Sequence, residues 1–140
     1  KKGIESYLPE NNRSQVTITE RNTVVLDAYN ANPTSMKLAL ESFCKTSYTN
    51  KMIIVGDMFE LGNDSIHYHQ EIINYLEKIN DSIIYIVGEY FCNTKHSDKI
   101  KSFSSKKELI NNLSKTNVSN YSILIKGSRG MQLEKIIEFI

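Results

Sequence analysis

Cysteine is scarce: Cys44 and Cys92 are the two in 140 residues, and they lie far apart. They form no CxxC pair and no metal-ligand spacing, so neither a zinc site nor a disulfide framework is expected. Two reduced thiols in a cytosolic protein are the reading that fits. An excess of either charge is also missing. Lys and Arg number 17 against 16 Asp and Glu, a net charge of +1. That excludes a field strong enough to make nucleic acid or an anionic membrane the main partner. No apolar run approaches the roughly 20 residues that cross a bilayer, and residues 1–20 hold no secretory apolar core. There is no initiator Met before Lys1-Lys2-Gly3, so a fragment of a longer protein is expected. Three site motifs are absent as well: the GxxxxGK[ST] phosphate loop, GxGxxG after a strand, and the nucleophile elbow GxSxG. A domain that bound and activated ATP by itself would be expected to carry one of the first two.

What remains has the size of one domain, large enough for a real core. Residues 1–15 are polar, with Pro9 and Asn11-Asn12, and read as an interdomain linker. The folded domain is then 16–140. The β-branched runs Val16–Thr19 and Thr23–Leu26 predict a short hairpin, or an antiparallel edge strand leading into a main one. Further strands are expected at Met52–Val55, Ile83–Val87, Ile100–Phe103 and Ser122–Lys126. Helical apolar spacing falls between them, at about Ser35–Cys44, about Ser65–Ile79, from about Ser105, and after Gly130. Alternating strands and helices predict an α/β fold, with a mostly parallel sheet and helices on both faces. The near-continuous apolar strands Ile53–Val55, Ile83–Val87 and Ile123–Ile125 suit a sheet covered on both sides.

In such a sheet, ligands bind outside the carboxyl ends of the strands. Three loops there concentrate polar residues and glycine. The first runs Asp27-Ala28-Tyr29-Asn30-Ala31-Asn32-Pro33. An Asp at this edge suits the two hydroxyls of a ribose. Thr34 or Ser35 could cap the following helix, which leaves Asp27, Asn30 and Asn32 for a ligand. The second loop carries Asp57 and Glu60, which could hold an ammonium group or a metal; solvated acids are the favoured reading. The third is Lys126-Gly127-Ser128-Arg129-Gly130, an anion-site candidate. A following helix would aim N–H groups outward, glycine could shape a nest, Arg129 could grip a carboxylate or phosphate, and Lys126 could add a point charge. The alternative is a plain turn with two solvated cations. His67 and His69 form an HxH, but residues two apart on a helix do not share a face, so no metal role is expected. His96 is isolated. Ser104–Lys107 matches SxxK by chance, since nothing else of that active-site set is present.

Taken together, the segments Leu26–Met36 (LDAYNANPTSM), Val55–Gly62 (VGDMFELG) and Ile125–Met131 (IKGSRGM) resemble the signature segments of one family. They look like the C-terminal domain of the Mur ligases that add D-alanyl-D-alanine to UDP-N-acetylmuramoyl tripeptide. Asn11–Gln15 looks like the lead-in from that family's central domain. The resemblance implies a Rossmann-like third domain of a three-domain cytoplasmic enzyme of peptidoglycan synthesis. The first domain would bind the UDP-sugar and the central one would hold the ATP phosphate loop and Mg²⁺. The implied partners are ATP, D-alanyl-D-alanine, UDP-MurNAc-tripeptide and the protein's own N-terminal and central domains, in a monomer; the fragment alone would be inactive. Carried over by residue, Arg13, Asp27, Tyr29, Asn30 and Asn32 would face ATP. Lys126, Ser128 and Arg129 would face the dipeptide, with Asp57 and Glu60 beside them. Two departures stand out: Leu26 occupies a position where many relatives have an acid, and Asn74 lies near a helix position that is often Gly. A related ligase with another amino-acid acceptor, or a stand-alone nucleotide-binding regulatory domain, are the competing readings.

Overall fold

The computed structural model describes residues 5–7, 15–28 and 30–140. Strands β1 (Glu5–Tyr7), β2 (Gln15–Ile18), β3 (Thr23–Asp27), β4 (Lys51–Gly56), β5 (Ser82–Val87), β6 (Ile100–Phe103) and β7 (Ser122–Lys126) form one sheet, ordered β1-β2-β3-β7-β4-β5-β6. β1 and β2 pair antiparallel, as do β2 and β3; all the other pairs are parallel. The antiparallel edge expected from Val16–Leu26 is present. Within the segment read as linker, Glu5–Tyr7 adds a further strand in register with β2. Its polar sequence carries no alternation that would have marked it.

Period-two alternation divides the sheet between two cores. Ile53, Val55, Ile84, Ile86 and Leu124 face one side; Met52, Ile54, Tyr85, Val87, Ile123 and Ile125 face the other. Helices α1 (Pro33–Cys44), α2 (Ser65–Leu76) and α3 (Glu89–Cys92) cover the first face, through Met36, Leu40, Phe43, Ile72, Ile73, Leu76 and Phe91. Helix α4 (Lys106–Lys115) and the C-terminal segment cover the second, through Leu109, Leu113, Leu133 and Ile136.

Local signals explain the helix starts. Asn32 caps α1: its side chain accepts the Ser35 N–H (2.8 Å), and Ser35 Oγ accepts the Asn32 N–H (3.1 Å). Pro33 then occupies the first turn, where its missing N–H costs nothing. This corrects the assignment of the cap to Thr34 or Ser35; the reciprocal pair moves the start two residues earlier. Ser105 caps α4 by accepting the Glu108 N–H. The expected final helix is instead two 3₁₀ segments, Arg129–Met131 and Leu133–Phe139, broken at Gln132 (φ 52°).

The order of strands creates a switch point. From β3 the chain passes over α1 to β4 and continues outward to β6. It then returns over α4 to insert β7 between β3 and β4. The carboxyl ends of β3, β7 and β4 therefore meet at adjacent positions of one edge, the place where open α/β sheets bind ligands.

Candidate functional site

The three edge loops converge there, as the sequence suggested, and named side chains tie them together. Lys126 is in register with Asp27 on β3 and with Val55 on β4. Its side chain is 1% exposed, and its Nζ lies 3.1 Å from Asp27 Oδ1. The same ammonium donates to the Asn30 carbonyl oxygen at 2.9 Å. A lysine buried at the carboxyl end of a central strand has to satisfy its charge within the protein; here it does so by fastening the first loop to the third. Lys126 is therefore not a solvated cation.

The second and third loops are joined by two reciprocal hydrogen bonds. The Ser128 N–H donates to the Asp57 carbonyl (3.0 Å), and the Phe59 N–H donates to Ser128 Oγ (2.8 Å). Ser128 is 5% exposed. Gly127 is demanded by the same closeness: a Cβ there would sit 2.7 Å from Leu133 Cδ1 and 3.1 Å from the Gly56 Cα. Neither Gly127 nor Gly130 has a positive φ, so these glycines serve packing. The helix-terminus argument for an anion at this loop is also lost, because a short 3₁₀ turn follows it. Arg129, next in the loop, is exposed.

Asp57 is buried, which overturns its reading as a solvated acid. Its two carboxylate oxygens accept the N–H groups of Tyr90 and Phe91, each at 3.0 Å. These are the orphan donors at the start of α3, so Asp57 caps that helix from another loop. Burial pushes its pKa up, against the pull of those two N–H groups. Gly88 makes the arrangement possible. Its φ is 124°, and a Cβ would meet Asp57 Cγ at 2.2 Å. Glu60 is exposed and holds φ 63°.

His69 is fully buried beneath this loop. Nε2 accepts the Met58 N–H (3.0 Å), and Nδ1 lies 2.7 Å from the Ser65 carbonyl oxygen. An N–H can only donate and a carbonyl can only accept, so the proton sits on Nδ1 and the ring is neutral. Burial accordingly lowers its pKa. The 3.9 Å approach of Nε2 to Asp57 Oδ1 is thus no ion pair. Sequence reasoning set this residue aside with His67; its signal was burial on the α2 face, shared with Ile72, Ile73 and Leu76. His67 faces outward and meets Glu71 at 3.2 Å. Among the described residues, no group of three or more His, Cys, Asp or Glu side chains could hold a metal.

Asn30 and Asn32 lie at the rim of the edge. Beside Asn32 runs a groove of about 610 Å³, walled by Pro33, Leu38, Leu61 and Tyr68. A second cavity, of about 510 Å³, is lined by Cys44, Lys51, Tyr75 and Asp81 at the opposite edge, away from these loops. Arg13 and Tyr29 lie outside the described residues. Both cysteines are free, and burial raises each thiol's pKa. Among the described residues, no helix is long and apolar enough to cross a membrane.

Comparison with known proteins gives the family. Residues 12–129 match the family described as Mur ligase, glutamate ligase domain. The chain is 38% identical over 136 residues to the UDP-N-acetylmuramoyl-tripeptide--D-alanyl-D-alanine ligase of Rickettsia prowazekii, covering 91% of this chain and 29% of that protein. It is 32% identical to the ligase of the same name from Bacillus subtilis, over 83% of this chain and 27% of that one. Among solved structures, a MurF from Acinetobacter baumannii superimposes with a TM-score of 0.76 at 27% identity, over 94% of this chain and 30% of its own. MurF ligase from Thermotoga maritima, in complex with ADP, shares the fold with a TM-score of 0.71 at 24% identity, over 89% of this chain and 29% of its own. The chain thus spans about 30% of the length of the relatives it matches. With its fold and most of its length matched, the chain belongs to the Mur ligase family, as its C-terminal domain.

Proposed function

We propose that this chain is the substrate- and nucleotide-contacting domain of an ATP-dependent ligase that adds D-alanyl-D-alanine to UDP-N-acetylmuramoyl tripeptide. The observation that carries the reading is the joining of three family-signature loops at the sheet's switch point, by Lys126 and by Ser128. The named relatives are ligases of that specificity.

In that reaction the tripeptide's terminal carboxylate attacks the γ-phosphorus of ATP, and ADP leaves. The dipeptide's amine then attacks the acyl phosphate carbon, loses a proton, and phosphate departs. Such chemistry rests on positioning and charge neutralisation more than on covalent help from the protein. Mg²⁺ and the ATP phosphate loop are assigned to a central domain outside this chain; the ion would neutralise phosphate charge. Arg129 and the Ser128 hydroxyl take the dipeptide's carboxylate, with Glu60 at the rim. Lys126 and Asp57, whose charges are engaged within the protein, hold those loops in place. Asn30 and Asn32 face the nucleoside, together with Arg13 and Tyr29. Asp27 meets it as one half of the ion pair with Lys126. A ligase of this fold has been solved with ADP. Closure of the domain over its N-terminal and central partners would order both substrates and exclude water from the acyl phosphate. A cytoplasmic monomer suits these soluble substrates.

Acceptor choice tests the reading. The full-length protein should turn over with D-alanyl-D-alanine and not with single amino acids. Preference for a single amino acid would assign it to another branch of the family.

A further inference from the structure

His69 lies on α2, outside all three edge loops, yet it holds one of them. Beyond Gly56 the chain leaves the sheet, and three successive N–H groups need acceptors. The Asp57 N–H donates to the Val87 carbonyl at 3.2 Å. The Met58 N–H donates to His69 Nε2, and the Phe59 N–H to Ser128 Oγ. The Asp57 carbonyl in turn accepts the Ser128 N–H. The position of Ser128, and of Arg129 next to it, therefore depends on the backbone of residues 57–59. His69 is the anchor of that backbone that substitution can remove without altering an edge loop.

The imidazole is fixed on every side. Its own helix supplies the Ser65 carbonyl and hydroxyl, at 2.7 and 3.3 Å from Nδ1. From α3, the Phe91 ring meets it edge-on at 4.6 Å and the Tyr90 ring lies at 5.2 Å. From the second loop, Asp57 Oδ1 stands 3.9 Å from Nε2. The Asp57 carboxylate is turned to α3, and Glu89 adds a further negative charge near it. A buried N–H deprived of its acceptor would carry the cost of an unmet hydrogen bond, and the loop would shift to find water.

We propose that His69 is a positioning residue of the dipeptide subsite: by accepting the Met58 N–H it sets the 57–59 backbone, and through it Ser128 and Arg129. This rests on the reading of the third loop as the dipeptide's. His69 touches no substrate itself. It acts as a neutral hydrogen-bond bridge between α2 and the loop.

The test compares two substitutions in the full-length protein. In His69→Gln, Oε1 can stand near the place of Nε2 and accept the Met58 N–H. In His69→Asn, the shorter amide can still donate to the Ser65 carbonyl but does not reach Met58. Losing one buried acceptor should raise the KM for D-alanyl-D-alanine about tenfold in His69→Asn, with His69→Gln within about threefold of wild type. The KM for ATP should stay within about twofold in both, since a positioning loss at one subsite spares the other. Equal rises in both KM values, or a His69→Gln as impaired as His69→Asn, would overturn the proposal. Amide exchange at Met58 and Phe59 should quicken about tenfold in His69→Asn and recover in His69→Gln, with β5 unchanged. That readout needs no turnover, so it separates failure of this proposal from failure of the ligase reading. In the wild-type protein the His69 ¹⁵N shifts should show a protonated Nδ1 and a bare Nε2. A protonated Nε2 would overturn the proposal whatever the variants do.

Discussion

Lys126 on β7 and Asp27 on β3 are register partners in adjacent parallel strands, and their side chains meet at 3.1 Å. The same lysine donates to the Asn30 carbonyl, so one buried ammonium fixes both the course of β3's loop and its distance from β7's. The two loops that the sequence presents as separate ligand contacts are thus one mechanical unit. The loop proposed to meet the nucleoside is thus tied to the loop proposed to meet the dipeptide.

Removing that cation should be costly. Lys126→Met keeps the bulk but leaves the Asp27 carboxylate facing a buried methyl. Breaking a buried pair from one side costs about 3–5 kcal/mol, with the lower end expected because the Asp27 side chain is 12% exposed. Denaturant unfolding measures it. The double variant Lys126→Met, Asp27→Leu should recover part of the loss, because the carboxylate that lost the ammonium is then gone as well.

Gly88→Ala tests the second junction. The added Cβ would fall inside the Asp57 carboxylate, at a φ of 124° that L residues rarely adopt. Overlap and strain together should cost at least about 3 kcal/mol. Tyr90 and Phe91 should lose their cap, visible as faster amide exchange through Glu89–Cys92. An unchanged midpoint of unfolding would contradict the geometry.

Most of the sheet was legible in the sequence, because six strands were expected, five of them from apolar or β-branched runs, and three helices from their apolar spacing. β1 was not, since Glu5-Ser6-Tyr7 carries no pattern beyond its pairing with β2. The convergence of the three loops was readable from the rule that sites lie at strand carboxyl ends. The state of their side chains was not. Lys126 and Asp57 look like solvated charges in one dimension, and only strand order and the approach of Gly88 bury them. His69 was passed over because an HxH spacing draws attention to metals, while its partners, Met58 and Ser65, are backbone groups that no side-chain motif encodes.

Stability should follow pH through His69. Burial holds the native imidazole's pKa below its ordinary value, so the unfolded chain takes up a proton that the native one resists. The contribution is therefore complete above about pH 6.5 and falls as pH drops below it, towards the native value. Asp57 works the other way and at lower pH. Its raised pKa means that stability falls as pH rises from the ordinary carboxylate value through the native one. Unfolding free energy between pH 7 and pH 5 should decline in the wild-type protein and flatten in His69→Gln. Parallel curves would show that His69 does not carry the effect.

Arg129 is the exposed cation of the third loop, and its substitution should separate the two proposed substrates. In the full-length protein, Arg129→Ala should raise the KM for D-alanyl-D-alanine by about tenfold or more, the worth of a charged hydrogen bond to a carboxylate. The KM for ATP should move much less. Equal losses for both substrates would remove the dipeptide assignment of this loop.

The most direct test is phosphate release by the full-length protein, supplied with ATP, Mg²⁺, UDP-muramoyl tripeptide and D-alanyl-D-alanine, with residues 1–140 alone as the control. The expected result is release that depends on both ATP and the dipeptide in the full-length protein, and none from the domain alone. A folded full-length protein that releases no phosphate with this set of substrates would contradict the account.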